Sequence, residues 1–167
     1  MQKIGIFFGT TTGNAESIAT KIATKINADV FDVADARPEQ IEPYSKLILG
    51  TSTWGDGDMQ DDWDDFVHQL VQLDLTGKTI ALFGIGDSYS YPDTFAGGMG
   101  QLYEWIKDKG CHIVGQTATD GYDFEESTIS VVDGRFVGLA LDEDNESNLS
   151  DERINQWLKL IKPDFGF

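Results

Sequence analysis

Short apolar segments alternate with amphipathic helical patterns along this chain, and that alternation restricts the fold more than any other feature. The apolar segments have the length of strands and are rich in Ile, Leu, Val and Phe. Strands with this composition belong to parallel sheets, because helices cover both of their faces. The pattern therefore predicts an α/β fold, with strands near residues 3–9, 29–33, 46–51, 79–85 and 112–115 and a further apolar run at 136–141.

Apolar side chains three or four residues apart predict helices between these strands. The stripes consist of Ile18, Ile22 and Ile26; Trp63, Phe66, Val67, Leu70 and Val71; Leu102, Tyr103 and Ile106; and Ile154, Trp157, Leu158 and Ile161. We expect Pro163 to end the last helix and the acids 151–152 to lie in its first turn. Residues 116–135 are too polar and too rich in turn residues for a buried strand, so we predict a long loop inserted before 136–141.

Composition narrows the class of protein. A chain of 167 residues, 40% of them hydrophobic, predicts a single domain over residues 1–167. The 29 acidic and 12 basic residues give a net charge of −17. This charge argues against nucleic acid or an anionic membrane as a partner and favours a basic partner. The alternative is that the charge serves only solubility.

Cysteine usage and hydropathy indicate the compartment. Cys111 is a single cysteine, so it cannot form an intramolecular disulfide, and no Cys/His spacing predicts a metal site. The apolar runs stay short of the roughly 20 residues that span a bilayer. We expect a cytoplasmic protein without membrane insertion.

In an open parallel sheet, ligands bind beyond the carboxyl ends of the strands, where the strand order reverses. The loop TTTGNAES at residues 10–17 follows the first predicted strand. Residues 4–20 contain no Lys or Arg, but unpaired N–H groups at a helix N-terminus can hold a phosphate without a cation. Thr10, Thr12 and Asn14 add side-chain donors, and Gly13 permits close approach. The alternative is an ordinary capped helix start.

Aromatic residues mark the loops after the third and fourth strands. Trp54, in TSTWGDGD at residues 51–58, stands among loop-forming residues. Tyr91, in GIGDSYSYPDTF at residues 84–95, precedes Pro92, which biases Tyr91 toward an extended backbone. The two rings together predict a slot for a flat apolar ligand. Alternatively, Trp54 covers the edge of the core and Tyr91 is an ordinary turn residue.

Taken together, these segments resemble the flavodoxin family, in particular its long-chain branch. The resemblance covers essentially the whole chain and is carried by KIGIFFGTTTGNAES, LGTSTWGDGD, GIGDSYSYPDTF, TDGYDF and GRFVGLALDEDNESNLSDERI. The last two segments are typical of the long-chain branch, whose final strand is split by an inserted loop. The resemblance implies a doubly wound five-stranded parallel sheet in the order 2-1-3-4-5, with helices on both faces.

The resemblance also implies one noncovalently bound FMN. Residues 10–15 would hold its phosphate, Trp54 and Tyr91 would flank its ring, and Asp144 is a candidate near the ribityl chain or Trp54. The implied contact residues are Thr10, Thr11, Thr12, Gly13, Asn14, Ala15, Ser52, Thr53, Trp54, Gly55, Gly86, Asp87, Tyr91 and Asp144. Ala15 stands where many relatives have a Thr, so one hydroxyl contact to the phosphate would be absent.

The function implied by the resemblance is electron transfer rather than catalysis, with no catalytic residues. The chain would be a low-potential one-electron carrier that shuttles between semiquinone and hydroquinone in place of ferredoxin. Implied partners are basic-surfaced redox proteins, such as a flavodoxin- or ferredoxin-NADP reductase or a 2-oxoacid oxidoreductase, and we expect a monomer. The alternative is an FMN-dependent NAD(P)H:quinone reductase, which needs a substrate pocket over the flavin, whereas two aromatic walls leave only the ring edge open.

Overall fold

The computed structural model describes residues 3–167, so the first two residues of the predicted domain lie outside it. Its elements, in chain order, are β1 (Ile4–Gly9), α1 (Asn14–Ile26), β2 (Asp29–Asp32), β3 (Lys46–Trp54), β4 (Asp58–Met59), α2 (Asp61–Leu70), β5 (Thr79–Ile85), α3 (Gly97–Ile106), β6 (His112–Val114), β7 (Thr117–Ala118), β8 (Val131–Val132), β9 (Arg135–Phe136), β10 (Leu139–Leu141) and α4 (Ser147–Phe165). Pro38–Ile41 and Pro92–Thr94 form short 3₁₀ helices.

The central sheet has the order β10-β5-β3-β1-β2, and these strands are parallel. With β4 left out and β6 and β10 counted together as one interrupted fifth strand, this is the predicted order 2-1-3-4-5, which confirms the predicted fold. β3 continues as far as Trp54 rather than ending at residue 51. It does so because the chain turns back and pairs β4 antiparallel to its end, with Thr53 opposite Met59.

The last strand of the sheet is interrupted, as predicted. β6 pairs with the beginning of β5, where Val114 lies opposite Ala81, and β10 pairs with the end of β5, where Leu139 lies opposite Phe83. We call residues 115–138, between these two strands, the insertion. It is more ordered than the predicted loop, because β7, β9 and β8 pair in that order as a separate antiparallel sheet.

The helices bury two apolar clusters, one on each face of the sheet. Ile18 of α1 and Ile154 of α4 belong to one cluster, and Trp63 of α2 belongs to the other together with residues of α3. Successive strand residues alternate between them, so that Phe7 joins the second cluster and Ile6 the first. Among the helices of residues 3–167, none combines the length and the hydropathy that a bilayer crossing requires.

Glycines near the start of α3 allow backbone to approach backbone. A Cβ on Gly98 would lie 2.6 Å from the carbonyl oxygen of Ser52, and a Cβ on Gly100 would lie 2.5 Å from the carbonyl carbon of Ile129. Glycine is a poor helix former, and the sequence alone offers no reason for this cluster. The structure supplies one: α3 packs directly against the paired ends of β3 and β4 on one side and against the insertion on the other.

The last helix extends beyond its predicted limits at both ends. α4 begins at Ser147, which places the acids 151–152 in its second turn, and the prediction that Pro163 ends it was wrong. Pro163 lies in the last turn, where its missing N–H removes a single helical hydrogen bond. The helix ends instead at Gly166, which has φ 77° and donates its N–H to the carbonyl of Lys162 at 2.8 Å.

Candidate functional site

A cleft of about 230 Å³ opens at the carboxyl ends of the central strands. It lies where the strand order reverses, between β1 and β3, which is the usual ligand position in an open α/β sheet. The three loops singled out in the sequence line it, together with the loop after β10. The lining residues are Thr12, Asn14, Ser52, Thr53, Trp54, Gly55, Ile85, Gly86, Asp87, Tyr91, Thr94 and Asp144.

One end of the cleft is formed by the start of α1. Within the described chain no side chain caps this helix, so the capped-helix alternative is wrong. The first helical hydrogen bond runs from the N–H of Ser17 to the carbonyl of Gly13 at 3.0 Å. The N–H groups of residues 14–16 come before it and are donors for a ligand. Gly13 has φ 94°, and its N–H donates to Oγ1 of Thr10 at 3.0 Å, which shapes the loop.

Gln60 supports this loop from behind, and sequence reasoning missed it. Its side chain is 2% exposed, and its Nε2 donates to the carbonyl of Thr10 and to Oγ1 of Thr11, each at 3.2 Å. Its Oε1 accepts from the N–H of Asp62 at 3.0 Å, which caps α2. One buried amide therefore joins the first loop of the cleft to the start of α2. Nothing in the sequence around residue 60 distinguishes this glutamine from a surface residue.

Two exposed aromatic rings line the other end of the cleft. Trp54 is 40% exposed and Tyr91 is 58% exposed, so neither side chain belongs to the core. Nε1 of Trp54 donates to Oγ of Ser52 at 2.9 Å, which fixes the indole relative to β3. Both rings line the cleft and present apolar surface to it, whether or not Trp54 also covers the edge of the core.

A tight turn follows Trp54. The N–H of Gly57 donates to the carbonyl of Trp54 at 3.2 Å, and Gly55 has φ 54°. Asp56 is not among the described residues with positive φ, so Gly55 is the one central residue of this turn that has it, which is the φ pattern of a type II′ turn. A side chain at this position would be strained, because positive φ brings Cβ close to the backbone.

The third side of the cleft is built around a buried carboxylate. Asp142 is fully buried, and its Oδ2 accepts from the N–H and hydroxyl of Ser88 at 3.1 and 2.5 Å. Asn145 donates its N–H to Oδ1 of Asp142 at 3.0 Å and its side-chain amide to Oδ1 of Asp87 at 2.8 Å. Oxygens of Asp87, Asp142 and Asp144 lie within 4.8 Å of one another. Hydrogen bonds already occupy those of Asp142, so this group connects two loops of the cleft.

Asp87 and Asp144, the two carboxylates of this cluster that are not fully buried, have pKa shifts in opposite directions. Burial raises the pKa of Asp87, but hydrogen bonds from the backbone of Ser90 and from Asn145 outweigh it, and the net pKa is lowered. Burial raises the pKa of Asp144, and repulsion by the charges of Asp87 and Asp142 raises it further. The ionised form of Asp144 therefore opposes folding, whereas that of Asp87 favours it.

Asp144→Asn is expected to stabilise the unliganded protein at pH 7, by less than about 0.5 kcal/mol because this exposed charge is screened by solvent. A carboxyl whose pKa is raised on folding binds more protons in the folded state, so the free energy of unfolding falls as pH rises from the unfolded value toward the folded one. The difference between variant and wild type should vanish below both pKa values and shrink in high salt. Urea unfolding at pH 3 and pH 7 measures it; a variant less stable than wild type at pH 7 would contradict the prediction.

Comparison with known proteins assigns this arrangement to a family. The model of the flavodoxin family matches residues 6–157. The chain belongs to the flavodoxin family. Flavodoxin of Helicobacter pylori is 52% identical over 167 residues, covering 99% of this chain and 100% of the relative. Flavodoxin of Fusobacterium nucleatum, solved bound to flavin mononucleotide, is 37% identical with a TM-score of 0.92 and covers 99% of each chain. The resemblance seen in the sequence is thus confirmed.

Most residues of the flavodoxin site named from the sequence line the cleft. The exceptions are Thr10, Thr11, Gly13 and Ala15. Thr10 and Thr11 contact Gln60, and Gly13 sets the loop conformation. Ala15 is fully buried, and its methyl group belongs to the cluster between α1 and the sheet. The role of all these residues in binding a cofactor stays a prediction.

Two residues of the cleft were missed. Ile85 ends a buried strand and is indistinguishable in sequence from its core neighbours. Thr94 lies in the 3₁₀ helix after Tyr91, and its Cβ would be 3.1 Å from a Cβ placed on Gly57. That contact joins the loops after β3 and β5, and it depends on tertiary structure that no local pattern reveals.

Proposed function

We propose that this flavodoxin-family chain binds one FMN noncovalently in the cleft and acts as an electron carrier rather than an enzyme. The observation that supports this most strongly is the pairing, in one cleft, of two exposed aromatic rings with an uncapped helix N-terminus. A flavin ring is flat and largely apolar, and the phosphate of FMN is an anion. The likeness to a flavodoxin bound to flavin mononucleotide supports the same cofactor.

The residues present fit this cofactor. Backbone N–H groups of residues 14–16 and the side chains of Thr12 and Asn14 would hold the phosphate, and the helix dipole favours its charge. Trp54 and Tyr91 would cover the two faces of the ring and exclude water from it. Ala15 offers only its N–H, so the phosphate site has one hydroxyl donor fewer than in many relatives, a loss worth roughly 0.5–1.5 kcal/mol of binding.

Negatively charged residues near the cleft would set the reduction potential of the bound FMN. FMN, when bound, supplies one-electron transfer between its half-reduced and fully reduced states. Exposed acids follow Trp54 in the turn and in the first turns of α2, namely Asp56, Asp58, Asp61, Asp64 and Asp65. Their negative field opposes the addition of negative charge in the cleft, which supports a low potential for the second electron.

The same acids support a choice of partner. A net charge of −17, with acids on two sides of the cleft, attracts basic surfaces and accelerates salt-sensitive encounters. We infer that the clients are basic-surfaced redox proteins such as a flavodoxin- or ferredoxin-NADP reductase or a 2-oxoacid oxidoreductase, met by a monomeric, single-domain carrier in the cytoplasm in place of ferredoxin. The named flavodoxins among the relatives do not favour a quinone reductase.

Gly55→Val is expected to narrow the gap between the two one-electron potentials of the bound flavin, on the order of 40 mV for one hydrogen bond of about 1 kcal/mol. We propose that the Gly55–Asp56 peptide turns its carbonyl toward N5 of the flavin when that atom carries a proton. Gly55 has φ 54°, and a β-branched residue resists such a conformation. A redox titration measures the gap. Gly77→Val is the control, because Gly77 also has positive φ, has open space around it and lies near the opposite ends of the strands. An equal change of the gap in both variants would refute the role of Gly55.

Stepwise anaerobic reduction of the purified protein tests the function. With FMN bound and one-electron steps separated, the absorbance should change from yellow through blue to colourless. A protein that binds no added FMN would refute the cofactor assignment. Direct bleaching in a single two-electron step, or steady quinone reduction with NAD(P)H as the only donor, would refute the carrier function and favour the reductase.

A further inference from the structure

The start of α3 lies directly against the turn between β3 and β4, because glycines there leave room for close contact. A Cβ on Gly97 would lie 2.8 Å from the carbonyl oxygen of Gly57. The N–H of Gly98 donates to Oγ1 of Thr53 at 3.2 Å. Side chains that follow on the same face of α3 are therefore within reach of β4.

Gln101 is such a side chain, and it connects α3 to β4 with two hydrogen bonds. It follows Gly97 by four residues, about one helical turn, so both lie on the same face of the helix. Its Oε1 accepts from the N–H of Met59 at 3.1 Å, and its Nε2 donates to Oδ1 of Asp58 at 2.9 Å. One amide of α3 thus holds both the backbone of β4 and a carboxylate.

The carboxylate held by Gln101 lies beside the wall of the cleft. Asp58 is paired with Trp54 across the two strands. Its Oδ2 would lie 3.1 Å from a Cβ placed on Gly55. Trp54 and Gly55 both line the cleft, so the negative charge of Asp58 is next to residues that would contact the cofactor.

The position of this charge depends on the bond from Gln101. Asp58 is exposed, and an exposed side chain without a partner exchanges between rotamers. The interaction between two charges weakens with distance and with the amount of water between them. A carboxylate fixed against Gly55 therefore opposes added negative charge in the cleft more strongly than one that turns into solvent.

We propose that Gln101 is a positioning residue that holds the carboxylate of Asp58 beside the cleft and so lowers the potential at which bound FMN accepts its second electron. This inference rests on the proposed function, because it assigns a source to the low potential of that step. Gln101 itself does not line the cleft, so it acts through Asp58 and does not touch the cofactor.

The first test removes the amide. Gln101→Leu should raise the equilibrium constant for the second electron about threefold, which is about 28 mV at 59 mV per tenfold change. The shift should shrink in high salt, whereas the dissociation constant of oxidised FMN should stay within about twofold of wild type. A redox titration and a fluorescence titration measure the two quantities. An unchanged or lower potential would overturn the inference.

A matched control uses a glutamine on another helix. Gln156 of α4 also donates its side-chain amide to a carboxylate, that of Glu152 at 3.3 Å, and it does not line the cleft. Gln156→Leu removes the same group and should leave both potentials unchanged. An equal shift in the two variants would show that Gln101 has no particular role.

A double-mutant cycle tests whether Gln101 acts through the charge of Asp58. Asp58→Asn keeps an oxygen that can accept the bond but removes the charge, and it should raise the potential for the second electron at least as much as Gln101→Leu does. In the Asp58→Asn background, Gln101→Leu should then leave this potential unchanged. A shift of the same size in both backgrounds would mean that Gln101 acts on the backbone of β4 alone, which would overturn the inference.

Hydrogen exchange of the FMN-free protein provides a readout that needs no cofactor. The amide of Met59 should exchange faster in Gln101→Leu than in wild type or Gln156→Leu, because its acceptor is gone. Unchanged exchange would overturn the inference. If wild type bound no FMN, the proposed function would fail, while the exchange rates would still decide whether Gln101 holds β4. Should Gln101→Leu not fold, Gln101→Ala gives the same comparisons, since alanine is also a good helix former.

Discussion

Replacing Tyr91 with alanine is expected to raise the dissociation constant for FMN about thirtyfold. Stacking of a flat heterocycle on an aromatic side chain is worth about 1–3 kcal/mol by alanine substitution, and about 2 kcal/mol corresponds to this factor. The ring is 58% exposed, so its loss should leave the FMN-free fold intact. Titration of the FMN-free protein, followed by the quenching of flavin fluorescence, measures the effect.

Tyr89 provides a matched control for this experiment. It lies two residues earlier in the same loop, is 86% exposed and does not line the cleft. Tyr89→Ala removes the same surface from the same loop and should leave the dissociation constant unchanged. If Tyr89→Ala weakened binding as much as Tyr91→Ala, the slot formed by Trp54 and Tyr91 would not be where the flavin ring binds.

Gly98→Ala is expected to lower the free energy of unfolding by about 3 kcal/mol, at the upper end of the cost of overpacking. The added methyl group would lie 2.6 Å from the carbonyl oxygen of Ser52 and 3.2 Å from that of Asp58. Both are backbone atoms of the paired strands β3 and β4, so either α3 or this strand pair must shift. Since Ser52 lines the cleft, the affinity for FMN should fall as well. Urea unfolding and FMN titration measure the two effects.

A comparison with Gly5→Ala shows whether the effect arises from backbone contact. A Cβ on Gly5 would lie 2.9 Å from the ring of Tyr44, which is a side chain rather than backbone, and Gly5 lies at the end of β1 that is far from the cleft. Gly5→Ala should lose less stability and keep wild-type affinity for FMN. If Gly98→Ala were as stable as wild type, the close packing of α3 on β3 and β4 would not constrain the structure.

Periodicity accounts for how much of the fold was predictable. A parallel strand covered on both faces must be apolar on both, so β1 and β5 were visible as continuous apolar runs. The helices were visible from their apolar stripes, such as Ile18 and Ile22. The ends of the helices were less predictable. Pro163 is the example, because a proline in the last turn costs little when a glycine three residues later can end the helix.

Long-range contacts account for what was not predictable. Gln60, Thr94 and the buried carboxylate of Asp142 contact residues that are distant in sequence. The residues next to them in the sequence do not indicate these contacts, because a hydrogen bond between loops depends on how the strands are ordered. The loops themselves were predictable, since in a sheet of this order the carboxyl ends of its central strands must meet at one edge.

The interrupted strand provides a position at which the molecule can be changed by evolution or by design. Val114 and Leu139 pair with Ala81 and Phe83, so the chain departs from the ladder and rejoins it with only Leu82 between the two partners. The insertion therefore leaves the order of the strands unchanged. The residues between its closely spaced ends can be lengthened, shortened or exchanged while every other strand keeps its partner. The junction is a natural graft point, where evolution or a designer can append a new element to an electron carrier without rebuilding its core.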